Sequence, residues 1–182
     1  VTQTPVGLGN LDWQPAADAP ELVAEPVSRA LAEGILDTGS VFVTRIDPTL
    51  ADTAAFCDAF DSPAENSANC VVVSGRRGDQ STTAACLVLA TDKADVNKTI
   101  RKHLGVRKLS FAPMDDAVAA TGMEYGGITP VGLPADWPIL IDTAVTERDW
   151  IVIGSGIRGS KLAIPGALAG KLPGAEILDL AI

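Results

Sequence analysis

Histidine is nearly absent: His103 is the only one in 182 residues, which excludes any site needing two imidazoles from one chain. Cysteine is scarce as well. Cys57, Cys70 and Cys86 are odd in number and form no CxxC pair, so a disulfide framework is not expected. They read instead as reduced, mostly buried thiols of a cytoplasmic protein. No set of ligands shows a metal-binding spacing, and no metal is expected. No apolar run reaches the roughly 18 to 20 residues that a membrane helix needs. The opening segment, Val1 to Pro20, lacks the basic stretch followed by an apolar one that marks a secretion signal.

What is present points to a folded globule. The apolar fraction is 47% and the mean hydropathy is +0.23, enough for one domain with a sizeable core. The net charge of −9 argues at first against a nucleic-acid partner. Its distribution removes the objection. Residues 1–68 hold eleven carboxylates against Arg29 and Arg45, which accounts for the whole excess. Within the neutral remainder, Lys93 to Lys108 carries six basic side chains against Asp95 alone, a stretch free to meet a phosphate backbone.

Val1 to Pro20 reads as an irregular arm and residues 21–182 as a single domain. A helix is expected from Glu25 to Glu33, with Pro26 in its first turn and Gly34 as its stop. Val41 to Ile46 reads as a strand, and Asp47-Pro48 opens a helix through Phe60 with Leu50, Ala54, Cys57 and Phe60 inward. The runs Cys70 to Ser74 and Ala84 to Ala90 form a hairpin whose long loop is Gly75 to Thr82. Thr91 and Asp92 cap a helix that buries Val96, Ile100 and Leu104 and ends at Gly105. A short helix follows near Asp115 to Thr121. Ile139 to Asp142, Trp150 to Ile153, Leu162 to Ile164 and Glu176 to Leu180 read as strands. The class is mixed α+β, with a barrel-like sheet and surrounding helices.

Gly154 to Gly159 is a literal GxGxxG after a strand. A dinucleotide site would need a helix there, which Pro165 interrupts, and a second βαβ half for which no room remains. No nucleotide cofactor is expected. His103, in the last turn of the basic helix, reads as an ordinary helix-end residue. The informative stretch is Thr121 to Pro134, with four glycines and two prolines in fourteen residues beyond which little else is needed to specify a sharp turn. Its exposed amides suit an anion or a developing oxyanion, and equally a structural turn.

This stretch, T-G-M-E-Y-G-G-I-T-P-V-G-L-P, resembles the YbaK/prolyl-tRNA-synthetase-associated editing family. The likeness continues through I-L-I-D (Ile139 to Asp142), W-I-V-I-G-S-G-I-R-G-S-K-L (Trp150 to Leu162) and G-A-E-I-L-D-L (Gly174 to Leu180). It covers Glu25 to the C-terminus. The resemblance implies a deacylase that cleaves the ester joining a wrong amino acid to tRNA, with tRNA and an aminoacyl-tRNA synthetase as partners. It places the glycine loop beside the ester. It also implies a lysine followed by Ser or Thr where this chain has Asn69 and Cys70.

The expected roles follow from that likeness. Gly126 and Gly127 supply backbone donors and Asn69 orients the ester or a water. Cys70, Ile128, Thr129, Pro130, Gly154, Ser155 and Gly156 line the pocket. Lys98, Arg101, Lys102, Arg107 and Lys108 meet RNA. An aminoacyl ester is already activated, so positioned water and charge stabilisation suffice without histidine. Loss of the lysine leaves a second reading open: a catalytically silent protein that binds an aminoacyl-adenosine or a protein partner.

Overall fold

The computed structural model describes residues 3–182; Val1 and Thr2, the start of the expected arm, lie outside the described residues. Two sheets carry the fold. One contains β1 (Gln14–Pro15), β2 (Phe42–Arg45), β8 (Ser160–Ile164) and β7 (Ile151–Gly154), in that order and antiparallel throughout. The other runs β5 (Lys108–Phe111), β3 (Ala68–Arg77), β4 (Gln80–Leu89), β6 (Ile139–Asp142), β9 (Ala175–Leu178). Its β5–β3–β4 part is antiparallel, whereas β6 and β9 add in parallel. The sheets touch at a parallel bridge between Ser67 and Val152. They do not close into a barrel, which corrects the barrel-like expectation: each sheet keeps its own edges.

The central strand β4 feeds two cores because successive side chains point to opposite faces. Leu87 and Leu89 of β4 enter the largest core, with Ile139, Ile141, Ile151, Ile153, Leu162 and Ile164. Helix α1 (Glu25–Ala32) adds Val27, Ala30 and Leu31 to it. Cys86 and Val88 face the other way, onto Val96 and Ile100. The outer face of the four-stranded sheet is covered by Phe56 of α2 (Thr53–Phe60) and by Leu8 of the arm, packed on Phe42, Trp150 and Val152. Burial on both faces explains why β4 and β8 read as nearly continuous apolar runs.

Four expectations change. The helix foreseen from Pro48 to Phe60 is split into a 3₁₀ turn (Pro48–Leu50) and α2, since Asp47 and Asp52 each accept an N–H and each starts a turn. Phe56, not the foreseen stripe, is its fully buried residue, and Ala54 is exposed. The hairpin loop is two residues long, because Gly75 to Arg77 and Gln80 to Thr82 stay paired. The basic helix is capped by Asp95, not Thr91 or Asp92; Asp95 accepts from the Thr99 N–H and hydroxyl. It begins as a π-helical turn (Val96–Ile100) and continues as α3 (Arg101–Leu104), ending at left-handed Gly105.

The remaining helices are α4 (Met114–Thr121), α5 (Thr143–Thr146) and α6 (Gly166–Ala169). Among the described residues, no helix is long and apolar enough to cross a membrane. Asp142, the last residue of I-L-I-D, is buried and receives the Leu180 N–H at 2.7 Å and the Ala181 N–H at 3.3 Å. It tethers the C-terminal segment. Asp142→Ala should cost about 2 kcal/mol by leaving those amides unsatisfied, read as a lower urea midpoint with an unchanged slope.

Candidate functional site

Two glycine-rich segments meet edge to edge. The loop after α4 begins with left-handed Gly122, and the Thr121 hydroxyl closes the helix by donating to the Ala117 carbonyl. The other segment follows β7 and leads into β8, a strand where a dinucleotide fingerprint would need a helix. Glu124 N–H donates to the Gly156 carbonyl at 2.8 Å, and Gly156 N–H donates back to Gly127 at 2.7 Å. Arg158 adds three bonds: its N–H to the Glu124 carboxylate, and its guanidinium to the carbonyls of Tyr125 and Pro48.

Contact is so close that side chains are excluded. A methyl group on Gly154 would lie 2.5 Å from the Gly127 carbonyl oxygen and 2.7 Å from that of Ile128. On Gly127 it would lie 2.7 Å from the Ile157 carbonyl oxygen. Gly127 is buried, and its N–H is already committed to the Glu124 carbonyl. Of the two amides expected as donors, the exposed Gly126 alone remains without a backbone partner among the described residues.

Between this junction and the start of β3 opens a cleft of about 630 Å³. The bridge at Ser67 and the pairing of β5 from Val73 onward leave residues 68–72 of β3 without a neighbour on that edge. Val72 accepts the Ala112 N–H there, so by alternation the N–H and C=O of Cys70 face the gap. Asn69 lines the cleft, and its carbonyl accepts the Thr53 hydroxyl at 2.7 Å, which leaves its NH₂ as the available donor. Burial, reinforced by neighbouring Cys86, pushes the Cys70 thiol well above its ordinary range, which disfavours a thiolate there. Cys86 is pushed up to about 12 by burial.

The structure therefore brings together Asn69, Cys70, Gly126, Ile128 and Gly154. It places the other expected residues behind the wall. Thr129 and Pro130 are buried, and the Thr129 hydroxyl finds no partner. Ser155 is fully buried, its hydroxyl within reach of the Ile157 and Ser160 carbonyls, and Gly156 packs on Ala24. His103 lies away from Cys70, its Nε2 3.3 Å from the Glu176 carboxylate.

Three cleft residues were not foreseen. Phe111 and Tyr125 stand at the rim, 61% and 57% exposed, in a chain with few aromatics. Lys161 of β8 is buried at the cleft and donates to the Ala51 carbonyl at 2.8 Å. A lysine inside the fully buried S-K-L-A-I strand was the available signal.

At the other end of β3 lies a groove of about 720 Å³, lined by Arg101, Arg107 and Lys108 of the basic stretch together with Arg76. Lys98 and Lys102 are exposed but do not line it. From Cys70 to Arg76 is about 20 Å along the strand.

Gly154→Ala should destabilise by about 1–3 kcal/mol, the cost of forcing backbone apart in a packed region. Thermal melting checks this, with Gly159→Ala, where the nearest atom to the added methyl is 3.8 Å away, as the control that should melt normally. The same crowding makes Gly127→Val a lesion of the fold.

Comparison with known proteins agrees with this architecture. A protein proposed to be a trans-editing enzyme for prolyl tRNA synthetase has a TM-score of 0.73 at 20% identity, covering 93% of this chain and 98% of that one. A hypothetical protein, APE2540, has a TM-score of 0.75 at 18% identity, covering 87% of this chain and 100% of that one. At such identities the likeness is one of fold. The sequence model of the aminoacyl-tRNA editing domain matches residues 47–170, which span α2, both glycine segments, the open edge of β3 and Lys161. The chain belongs to the aminoacyl-tRNA editing domain family.

Proposed function

We propose that this chain hydrolyses the ester of mischarged aminoacyl-tRNA in trans, in the cleft between the open edge of β3 and the glycine junction. One observation carries the reading: unspent polar donors, the Gly126 amide, the Cys70 N–H and the Asn69 NH₂, line one cleft that contains no histidine. That set suits an activated ester. Water adds to the carbonyl carbon, the oxyanion collapses, the bond to the ribose oxygen breaks, and the ribose oxygen takes the water's proton. The protein holds the carbonyl and stabilises its developing charge. Cys70, Ile128 and Gly154 line the site of the aminoacyl group.

Phe111 and Tyr125 at the rim offer stacking faces for the terminal adenine. The groove of Arg76, Arg101, Arg107 and Lys108, about 20 Å away, takes phosphates further along the acceptor strand, with Lys98 and Lys102 flanking it. In this reading the protein works in the cytoplasm with tRNA, beside an aminoacyl-tRNA synthetase. The second reading, a silent binder, draws support from Asn69, a neutral group pinned by Thr53 where the family resemblance implies a lysine.

Purified protein should deacylate at least one member of a panel of mischarged tRNAs faster than buffer. Binding of the aminoacyl end without hydrolysis would favour the silent binder instead. Tyr125→Ala and Phe111→Ala should each raise KM about five- to 150-fold, as loss of one base–aromatic stack predicts, with kcat changed little. Neutralising Arg76, Arg101, Arg107 and Lys108 together should weaken tRNA binding and flatten its dependence on salt concentration. An unchanged salt slope would reject the groove as the phosphate contact.

A further inference from the structure

Lys161 is difficult to explain as packing. It is 7% exposed and points from β8 toward α2, with Nζ 5.4 Å from the centre of the Phe56 ring. No carboxylate lies within salt-bridge distance of it among the described residues. Asp52, which caps α2, is a favourable electrostatic neighbour, and Arg158 opposes Lys161 from the β7–β8 segment. A buried ammonium without an ion partner is costly, and a methionine would fill the same space without that cost. One of its three N–H donors goes to the Ala51 carbonyl. The others remain on a residue that lines the cleft and pairs across the sheet with Gly154.

We propose that Lys161 is a catalytic residue of this cleft: its ammonium donates a hydrogen bond to the carbonyl oxygen of the bound ester and stabilises the oxyanion formed when water adds. The proton stays on Lys161 throughout. The cation comes from β8 and not from β3, so the neutral Asn69 is left to position and not to polarise. Burial holds the Lys161 pKa below the ordinary lysine range. The assignment rests on the deacylase reading.

Lys161→Gln and Lys161→Met separate the two roles the side chain could have. Glutamine can keep the bond to Ala51 but not the charge, and methionine keeps only the volume. Both should lower kcat at least tenfold, with KM within threefold of wild type. Wild-type kcat, corrected for buffer hydrolysis, should lose its Lys161-dependent part as pH rises through a pKa below 10.5. The variants should lack that step.

A folded Lys161→Gln protein with wild-type kcat would overturn the assignment and leave Lys161 as an anchor for Ala51. If neither variant folds, the wild-type profile decides: a kcat with no alkaline loss overturns the proposal. A wild type that hydrolyses nothing in the panel overturns the deacylase reading and this assignment with it, whereas an active wild type beside an equally active Lys161→Gln sinks the lysine alone.

Discussion

Gly156 donates to the Gly127 carbonyl at 2.7 Å, and around that bond the backbone of two distant segments comes within contact distance. The rest of the site depends on this approach. It fixes the end of β7 against the loop and holds Gly154 where no side chain fits. It also commits the Gly127 amide to the turn, which leaves the Gly126 amide without a backbone partner among the described residues. Arg158 ties the same junction to the Pro48 carbonyl, next to the turn that leads into α2. The cleft is thus bounded by main chain on two sides, and main chain cannot swing away as a side chain can.

The second constraint is electrostatic. A chain with one histidine and a net charge of −9 has few ways to stabilise an oxyanion. Lys161 is a basic side chain lining the cleft, and the groove at the other end of β3 gathers four more, Arg76, Arg101, Arg107 and Lys108. β3 connects the two: its first half forms an open edge beside the cleft and its second half carries Arg76.

Much of this was legible in the chain. The apolar runs of β6, β7 and β9 and the spacing of the glycine loop gave their elements within a residue or two. The misreadings share a cause. Gly75 looked like a turn residue, yet it lies inside β3 because β5 passes so close there that a Cβ would strike the Lys108 carbonyl. Asp47 and Asp52 are both good caps, and local pattern cannot say that both are used. Ser155 and Thr129 are polar residues within glycine motifs, so they resembled pocket residues, but both are buried behind the wall. Lys161 was overlooked for the opposite reason: in a strand buried on both faces, no alternation marks which side chain reaches the cleft.

The most direct measurement is amide chemical-shift mapping with a non-hydrolysable aminoacyl-adenosine, in which an amide replaces the ester. Binding in the cleft predicts the largest shifts at Asn69, Cys70, Gly126 and Gly154, smaller ones at Phe111 and Tyr125, and little change at Ser155 or Thr129. Saturable shifts confined to the far end of β3, or none at all at millimolar ligand, would contradict the assignment of the cleft as the place where the aminoacyl end is held.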